Sequence, residues 1–559
     1  MKRAVFVACV VTSAVLAVAD EVTLDATGKI LTFDVDAADY PESAPYDYTA
    51  TWDSVAATVT NVIKRGTGSV MLGTSTTVSA FRGSITVEAD GGFLMGWKSR
   101  FGNPTSITVK NGGAVEFTEE SSSASGNVQT AQGSFANTYF YVEGSGPDGH
   151  GALQRPNAYH CTAVDFFKYI TLTGPTTINI GSRWGIRNGT IDMGGHTLTF
   201  KKEKHGSKYT EDFSPIFDIR DTVAIKNPGE IVMQSGRLGF EGADSRFVDA
   251  PNSSGTISNM TIRVKNGSTV RMFTLSDGAV PCRLVAEGTA SLMAFNVNVS
   301  DADREKRSVW DGPVEISGTA LDLTLYQNDS KADNASFVFD GPVTGNGRLG
   351  HAYRGYVFMR GTNEHSVGSI RQAETGTWVL KDRTALHLRN STNGTESIVY
   401  GSSSAKPATL IVQDDAKLTC LPGDEKHSSL AIGANANYGL MKISGNAVVS
   451  NDVSFGLYGR GAGYLFGGKL HMMEGWRARN VCYIGHSTSA YGYLGIDGGE
   501  FAENHWFYLG TYSPGFIVQR AGRAKYCLTN RGCPMRIGNN GTASYGHLAQ
   551  LGGTSEWKG

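Results

Sequence analysis

Two aspartates in repeated segments have the residue type and spacing that catalysis could use. The segments 309–314 (VWDGPV) and 338–343 (VFDGPV) are copies, and Asp311 and Asp340 occupy the same place in them. If the copies are stacked strands, the two carboxylates lie about 4.7–4.9 Å apart, and retaining glycosidases hold two carboxyl groups about 5–5.5 Å apart. Aspartate before Gly-Pro is also an ordinary turn residue, and segment 170–175 (ITLTGP) has threonine there. We therefore prefer a turn role for this pair and predict no catalytic set.

Two glycine-rich segments resemble nucleotide-binding motifs but lack parts that those motifs need. Segment 144–149 (GSGPDG) matches G-x-G-x-x-G, yet Gly151 and Pro156 follow too closely for a helix to begin there. Segment 463–469 (GYLFGGK) resembles a phosphate-binding loop, but Leu470 stands where a Ser or Thr would contact Mg²⁺. We therefore predict no nucleotide cofactor.

The histidines and cysteines do not form a ligand set of known spacing. His150, His160 and Cys161 lie near one another in the sequence, but their spacing matches no metal site. Cys527 and Cys533 flank a turn-like segment and could form a local disulfide in an oxidising compartment. Isolated buried thiols explain them equally well, so both alternatives stay open, and no metal or other cofactor is predicted.

The first residues have the pattern of an export signal. Met1–Arg3 is basic, an apolar run extends from Ala4 to Val18, and residues 17–19 (AVA) form a small-residue cleavage site. The apolar run is shorter than the roughly 20 residues that span a membrane, and no later stretch reaches that length. We therefore predict a signal peptide over 1–19, export of the protein, and no transmembrane segment in this chain.

The composition indicates a turn-rich β-protein. Of 559 residues, 70 are glycine, which is nearly double the usual share. Hydrophobic residues make up 40% of the chain, enough for a core, whereas charged residues make up only 18%. The net charge of −2 provides no basic surface for nucleic acid or an anionic membrane.

A strand–glycine–strand unit recurs through the C-terminal part of the chain. Segment 481–501 reads VCYIGHSTSAYGYLGIDGGEF, and 430–448 and 535–553 keep the same order of strand, glycine, polar turn and strand. A glycine ends the first strand of each unit at a period of roughly 23–29 residues, which is typical of a solenoid. These glycines are Gly433, Gly456, Gly485, Gly510 and Gly538. The pairs Gly498–Gly499 and Gly552–Gly553 are expected at sharp turns that need a positive φ.

The units predict an all-β fold: a right-handed parallel β-helix (β-solenoid) of the pectin-lyase-like class. Each turn buries its apolar face and satisfies its backbone hydrogen bonds by stacking on the next turn. Residues 20–61 are expected to cap the N-terminal end, 62–425 to form an irregular β-helix with inserted loops, and 426–559 to form Gly-rich repeats. Within the irregular part, 119–160 and 201–212 are predicted to be projecting loops. The sequence ends inside a repeat, so the C-terminal part is expected to be truncated.

Residues 62–96 resemble the autotransporter-associated β-strand repeat of bacterial passenger domains. The shared pattern is Lys, Gly-x-Gly, an alternating strand, Gly, a polar turn, Gly, a second alternating strand and a final Gly. The matching positions are Lys64, Gly66, Gly68, Val70, Leu72, Gly73, Gly83, Ile85, Val87, Gly91 and Leu94. A partial copy covers 345–368, and the C-terminal units are similar to repeats of type V secretion passengers and of envelope proteins with a C-terminal sorting signal. This resemblance, over about half of the chain, implies a β-solenoid exposed at the cell surface.

The preferred function is that of an exported bacterial protein at the cell surface or outside the cell, structural or adhesin-like, with no catalytic activity of its own. Its partners would be surface glycans or host and matrix components. The alternatives are a carbohydrate-active β-helix enzyme (polysaccharide lyase or glycoside hydrolase) and a glycan-binding module. An enzyme predicts charged residues on consecutive turns along a groove, whereas a scaffold predicts Ser, Thr and Asn there. A glycan-binding module predicts a row of exposed aromatic rings, for which Tyr491, Tyr493, Trp506 and Tyr508 are the candidates.

Overall fold

The fold is taken from a computed structural model of the chain. It describes residues 21–74, 77–118, 135–155, 162–181, 183–202, 216–242, 245–273, 279–295, 300–326, 335–351, 354–372, 374–389, 397–399, 401, 407–420, 430–434, 437–450, 453–457, 459–472, 481–503, 506–526, 535–538 and 544–557. The predicted signal peptide (1–19), His160, Cys161 and the proposed disulfide between Cys527 and Cys533 lie outside these residues.

The chain is built almost entirely from parallel β-strands that stack turn upon turn. The strands form one sheet of 42 strands and a second sheet of 11. Within the described residues, Glu21–Leu24 and Ile30–Asp34 are the one antiparallel pair, and the other pairs are parallel and mostly in continuous register. The prediction of an all-β parallel stack is thereby confirmed.

A complete turn contains three strands, which stack into three ladders that we call ladder 1, ladder 2 and ladder 3 in chain order. Tyr491–Ile496, Glu500–Glu503 and Trp506–Leu509 form one such turn. The long strands Thr162–Asn179 and Arg183–Asp192 each continue from ladder 3 into ladder 1, and the first of them also reaches ladder 2.

The remaining strands follow the ladders. Ladder 1 contains Ile30–Asp34, Asn61–Arg65, Ser84–Val87, Ser106–Val109, Tyr139–Gly144, Thr222–Lys226 and Arg246–Asp249, and then the 11-stranded sheet of Ala279–Val280, Val309–Trp310, Ser336–Phe339, Tyr356–Met359, Thr377–Leu380, Ala408–Val412, Tyr438–Ile443, Arg460–Leu465, Tyr491–Ile496, Pro514–Gln519 and Tyr545–Gln550. Ladder 2 contains Tyr46–Asp47, Ser69–Met71, Gly92–Gly96, Gly113–Phe117, Leu153–Gln154, Leu198–Lys201, Glu230–Met233, Thr261–Val264, Arg283–Ala286, Val314–Ile316, Val343–Gly345, Glu364–Val367, Ala385–Leu388, Lys417–Cys420, Val448–Ser450, Lys469–Met472, Glu500–Glu503, Arg523–Tyr526 and Thr554–Trp557. Ladder 3 contains Ile216–Arg220, Arg237–Glu241, Thr269–Phe273, Thr289–Phe295, Ala320–Tyr326, Arg348–His351, Ser369–Gln372, Ser397–Val399, Leu430–Ile432, Val453–Phe455, Val481–Ile484, Trp506–Leu509 and Met535–Ile537.

The first turns contain two strands, because helices or irregular segments stand where ladder 3 runs later. The α-helices Thr49–Val55 and Lys98–Phe101 occupy this position in the chain order. Trp52 of the first helix is fully buried, and its indole nitrogen donates a 2.8 Å hydrogen bond to the carbonyl of Arg100 in the second. The short 3₁₀ helices are Pro147–Gly149, Ile257–Asn259 and Asp301–Lys306. No helix in the described part of the chain is long and apolar enough to cross a membrane.

Inward side chains form the core, and residues that pair from one turn to the next lie above one another in columns. In ladder 2 the register aligns a nearly continuous apolar column of buried residues, which contains one histidine. From one turn to the next this column reads Leu198, Ile231, Ile262, Leu284, Val314, Val343, His365 and Leu386. The alternation of the strands thus fixes which side chains are buried, and stacking buries them.

Lys64, a residue of the autotransporter-like pattern, is buried at a corner of the early turns. Its ammonium donates hydrogen bonds to the carbonyls of Gly66 in its own turn (2.7 Å) and Gly91 in the next (2.6 Å). Burial lowers the pKa of Lys64 to about 7, and the nearby Asp34 opposes the shift. The lysine therefore connects the corners of two successive turns through their backbone oxygens.

The recurring glycines stack directly on one another at the corner that follows ladder 3. Residues 432, 455, 484, 509 and 537 are in register, so the glycines after them form a column. All five have positive φ: Gly433 (84°), Gly456 (71°), Gly485 (78°), Gly510 (72°) and Gly538 (65°). In the glycine pairs the second member has positive φ, Gly499 at 68° and Gly553 at 77°, whereas Gly498 and Gly552 are not among the residues with positive φ.

The prediction that 119–160 is a projecting loop is wrong for the part that the structure describes. Tyr139–Gly144 pairs in parallel with Ser106–Val109, and Leu153–Gln154 pairs with Gly113–Phe117. The sequence rhythm is broken because this turn is longer than its neighbours, not because the segment leaves the stack. Of the predicted loop 201–212, residues 203–212 lie outside the described residues.

Candidate functional site

The structure brings Asp311 and Asp340 together on successive turns, at the corner that follows ladder 1. Val309–Trp310 pairs with 338–339, so the next residue of each strand lies above its copy. The backbone N–H groups of Asp340 and Gly341 both donate to the carbonyl of Trp310, at 2.9 and 3.2 Å. The same arrangement holds Asp311 and the glycine after it against the preceding turn. These contacts are those of a tight corner between ladders 1 and 2.

The Asp340 carboxylate is already occupied by a guanidinium. Arg360, the next residue in the same corner column, donates Nε at 2.5 Å and a second nitrogen at 2.8 Å to its two oxygens. The hydrogen bonds to Asp340 raise the pKa of Arg360, although burial opposes this. Glu305 lies 3.6 Å from Arg360 and 2.9 Å from Lys381, which extends the ion pairing to one more turn. Asp311 is solvent-exposed, so the two aspartates have different surroundings, and the one with the better-defined geometry is bound to an arginine.

The other sequence motifs occupy places in the stack. Gly144 ends a ladder 1 strand, and the 3₁₀ turn Pro147–Gly149 follows instead of a helix that could bind a phosphate. Gly463 is an inward residue of Arg460–Leu465, and the lysine of the phosphate-loop-like segment starts the next ladder 2 strand. No group of three or more His, Cys, Asp or Glu side chains that could hold a metal is found among the described residues.

A buried charge cluster on ladder 3 was not predicted. Arg183 donates Nε to Asp218 at 2.5 Å and also pairs with Glu241, so one guanidinium bridges two carboxylates. Arg271 lies 3.6 Å from the other oxygen of Glu241. The side chains of Asp218 and Glu241 are 0% and 3% exposed. We refer to these four residues as the buried charge cluster.

The register explains how the cluster fits into a β-ladder. Asp218 pairs laterally with Gly185 on one side and Gly239 on the other. A Cβ on Gly239 would lie 2.6 Å from an oxygen of Asp218, so glycine is what leaves room for the carboxylate. Burial raises the pKa of Asp218, and Arg183 opposes the shift. The cluster places acidic and basic groups on consecutive turns, as an enzyme would, but both carboxylates are enclosed and bridged.

Two surface grooves follow the corners of the stack, and small polar residues dominate both. The larger, about 950 Å³, lies between ladders 2 and 3, and the second, about 510 Å³, lies between ladders 1 and 2. The first has three charged residues among its described lining residues: Glu315, which is ion-paired to Arg283, Arg348, which lies 3.7 Å from Asp322, and Arg389. Most of the first groove is lined by Gly288, Thr289, Ser317, Gly318, Thr319, Thr344, Gly345, Asn346 and Gly347. The second is lined by Asn111, Glu143, Gly144, Ser145, Gly174, Pro175, Thr176, Thr177, Thr197 and Thr199.

The outer face of the last four ladder 1 strands carries a group of exposed or half-buried aromatic rings. They project outward because the inward positions of the same strands hold glycine and aliphatic residues. We call this group the aromatic platform: Tyr464, Phe466, Tyr491, Tyr493, Phe516, Tyr545 and His547. Phe466 is 52% exposed and Tyr491 is 42% exposed. Burial raises the pKa of Tyr491, and the neighbouring Tyr493 and Tyr464 add to the shift.

The rings of the platform contact one another across the strands. Tyr464 lies parallel to Phe466, with centroids 5.9 Å apart and an interplanar angle of 6°, and 5.4 Å from Tyr493 on the next turn. Phe516 is 5.4 Å from Tyr491 and 5.6 Å from Tyr545, so a second line of rings crosses three turns. These centroid distances are those of interacting aromatic pairs.

A glycine and an arginine position two of these rings. A Cβ on Gly495 would lie 3.1 Å from the Tyr493 ring and 3.2 Å from the Tyr464 ring, so both rings lie over this glycine against the sheet. Arg520 donates one hydrogen bond to the Tyr493 hydroxyl at 3.1 Å and another to Asp497 at 2.7 Å. The rings are therefore held by the sheet and by neighbouring polar groups.

The four aromatic residues proposed from the sequence do not lie on one face. Tyr491 and Tyr493 belong to the platform, whereas Trp506 and Tyr508 lie on a ladder 3 strand. There Tyr508 stacks on Tyr483 of the preceding turn, with centroids 5.5 Å apart. Sequence reasoning missed Tyr464, Phe466, Phe516, Tyr545 and His547. The sequence contains a signal for most of them, because the pairs 464/466, 491/493 and 545/547 are each spaced by two residues, which places both rings of a pair on one face of a strand. The sequence alone did not show that these strands stack in one ladder.

Comparisons of the chain with models of protein families, with curated proteins and with solved structures find no match. The resemblance to autotransporter repeats therefore depends on the sequence pattern alone.

Proposed function

We propose that this chain is an exported bacterial β-solenoid that acts as a structural, adhesin-like scaffold at the cell surface or outside the cell, with no catalytic activity of its own. The sequence resemblance to autotransporter passenger repeats supports this assignment, as does the apolar N-terminal pattern. We further propose that the stack is right-handed and of the pectin-lyase-like class. Parallel stacks of three strands per turn connected in one direction are compatible with that class.

The observation that carries the proposal is the composition of the grooves. A polysaccharide lyase or glycoside hydrolase needs acidic or basic groups that reach the substrate from consecutive turns. Gly, Ser, Thr and Asn dominate both grooves. In the larger one, Glu315 is ion-paired to Arg283, Arg348 lies 3.7 Å from Asp322, and Arg389 is exposed. In the second, Glu143 is the charged residue and accepts hydrogen bonds from Asn111 and Thr173. Among the described lining residues, each groove thus has one carboxylate, which does not form the pair of carboxyl groups that a glycosidase uses.

The proposed mechanism is presentation by a stiff rod. Neighbouring turns share backbone hydrogen bonds and columns of buried side chains along the whole described stack. Because each turn contacts mainly the turns on either side, the stack extends by length without needing a larger core. Surface features on different turns are therefore held at fixed distances from one another.

The test is a polysaccharide degradation assay on the full chain. The protein is incubated with a panel of neutral, acidic and amino-sugar polysaccharides, and both new reducing ends and unsaturated uronate products are measured. We expect neither product above the level of a heat-denatured control. Product formation that is abolished in Asp340→Asn or Asp311→Asn protein would overturn the scaffold proposal.

The second candidate, a carbohydrate-active enzyme, is favoured by one observation. The buried charge cluster places Arg183, Asp218, Glu241 and Arg271 on successive turns of ladder 3. In this alternative a substrate would have to displace Arg183 from both carboxylates and reach side chains that are almost fully buried. Activity lost in Asp218→Asn and Glu241→Gln proteins, with stability retained, would establish the enzyme in place of the scaffold.

A further inference from the structure

We propose that the aromatic platform binds an extended, unbranched β-1,4-linked polysaccharide, whose sugar rings stack on the platform along the axis of the solenoid. The inference rests on the proposed function, since it names the ligand class that a non-catalytic scaffold would hold.

The platform repeats at the distance of one sugar unit. Tyr493, Phe516 and His547 are in register on three consecutive strands, so successive rings of this line are separated by the spacing between strands, about 4.8 Å. Tyr491 and Tyr545 lie two residues to one side of the line, on the first and third of these strands. A pyranose unit in an extended β-1,4-linked chain advances by a similar length. Two spacings of about 4.8 Å give a line about 10 Å long, which accommodates two or three sugar units. A coiled α-linked glucan curves away from such a straight row.

The chemistry of the face suits a carbohydrate better than a nucleic acid. Aromatic rings contact the C–H faces of sugars, and hydroxyls, carboxylates and guanidinium groups at their edges hydrogen-bond the sugar hydroxyls. The platform provides both kinds of group, because Tyr491 and Tyr493 carry hydroxyls, and Asp497 and Arg520 form an ion pair beside them. A nucleic-acid site combines stacking with a positively charged groove, whereas Arg520 is here paired with the Asp497 carboxylate.

The rings are fixed before a ligand arrives. Tyr464 is in contact with Phe466 on one side and Tyr493 on the other, and both tyrosine rings lie over Gly495. The Arg520 hydrogen bond restrains the Tyr493 hydroxyl. Side chains that are already ordered lose little conformational entropy on binding, which favours affinity.

The binding experiment uses the full chain and defined sugars. Cellohexaose and chitohexaose are the β-1,4-linked probes, glucose and cellobiose test the length requirement, and maltohexaose tests the linkage. Isothermal titration calorimetry is carried out on wild type, on Tyr491→Ala and Phe516→Ala proteins and on the double variant. Tyr491 is 42% exposed and Phe516 is partly exposed on the outer face of the sheet, so the fold should tolerate their removal. Tyr139→Ala is the matched control, because Tyr139 is a 47% exposed ladder 1 tyrosine far from the platform, stacked on Tyr169.

We expect binding of at least one β-1,4-linked hexasaccharide that is much tighter than binding of cellobiose. Each single platform substitution should weaken it by up to about tenfold, as expected for loss of one aromatic contact, and the double variant more. Tyr139→Ala should bind like wild type. Absence of binding to both hexasaccharides, equal binding of maltohexaose, or binding unchanged in the double variant would overturn the proposal.

The outcome is separable from that of the proposed function. Hexasaccharide that binds and is recovered intact supports both. Hexasaccharide that is cleaved refutes the scaffold proposal whatever the platform variants do. A chain that neither binds nor cleaves leaves the scaffold standing and refutes the platform inference. A wild-type protein that binds single-stranded oligothymidylate through the same two side chains, and no sugar, would replace the carbohydrate by a nucleic acid.

Discussion

Two glycines with the same φ, only one of which is a corner glycine that follows ladder 3, allow two effects of an added methyl group to be measured separately. These effects are backbone strain and steric overlap. Gly485 has φ of 78°, and a Cβ there would lie 2.3 Å from the carbonyl oxygen of Pro514, where the next turn begins. Gly267, on an exposed Asn-Gly turn, also has φ of 78°, but no atom lies within 4 Å of its Cβ position. Gly485→Ala and Gly267→Ala are therefore matched in φ and differ in surroundings.

The expected costs follow from these two environments. An alanine in the left-handed region costs about 1–2 kcal/mol, of which about 0.4–1 kcal/mol is offset by the lower entropy of the unfolded chain. We therefore expect Gly267→Ala to destabilise by about 1 kcal/mol or less. At Gly485 the backbone of Pro514 must also move, and overpacking of this kind adds about 1–3 kcal/mol. The N–H of Gly485, which donates to the carbonyl of Phe455 at 2.9 Å, is retained in alanine.

Amide hydrogen exchange is the suitable assay, since it resolves stability turn by turn. Because a solenoid is stabilised mainly by contacts between neighbouring turns, the loss should remain local. In Gly485→Ala we expect exchange of protected amides in 460–526 to become at least about tenfold faster, at about 1.4 kcal/mol per factor of ten. Peptides from 61–96 should be unaffected. Gly267→Ala should change exchange around its own turn by about fivefold or less.

Two results would refute this reasoning. Equal effects of the two substitutions would mean that the close approach between Gly485 and Pro514 does not exist and that the turns meet differently at this corner. A uniform loss of protection along the whole chain in Gly485→Ala protein would mean that the stack unfolds as a single cooperative unit.

Two further predictions concern buried and paired charges. Burial lowers the pKa values of His351 and His365 to about 4, so the unfolded chain takes up protons below pH 6.5 while the folded chain stays neutral. The free energy of unfolding should be greatest above pH 6.5 and fall by about 3 kcal/mol per histidine between pH 6.5 and 4. Urea unfolding at a series of pH values measures this dependence. A free energy that does not change with pH, or the same pH dependence in His351→Gln protein, would contradict the prediction. Asp340→Asn should lower the free energy of unfolding by about 1 kcal/mol through the loss of the paired contact with Arg360, whereas Asp311→Asn, at an exposed position, should change it by less than about 0.5 kcal/mol. An equal effect of the two substitutions in denaturant unfolding would show that the Arg360 contact contributes nothing.

The sequence by itself determined the parallel β-stack and its corners. Strand residues alternate with a period of two, so the apolar member of each pair marks the buried face without knowledge of the neighbours. Glycine is required where φ is positive and the next turn approaches closely. The column from Gly433 to Gly538 could therefore be recognised from the regular spacing of glycines in the sequence. The near-identical segments around Asp311 and Asp340 likewise predicted that the two segments stack, because repeated segments in a solenoid occupy equivalent places.

The tertiary structure decided which outward side chains share a face and which charges meet. Turn lengths differ, 22 residues from Tyr438 to Arg460 and 31 from Arg460 to Tyr491, so sequence spacing does not assign a strand to a ladder. Tyr493 and Tyr508, close in sequence, lie on different ladders because they belong to different strands of one turn, whereas Arg183 and Glu241, 58 residues apart, form an ion pair across turns. Alternation determines whether a side chain points inward or outward, but only the hydrogen-bond register between turns determines its neighbours.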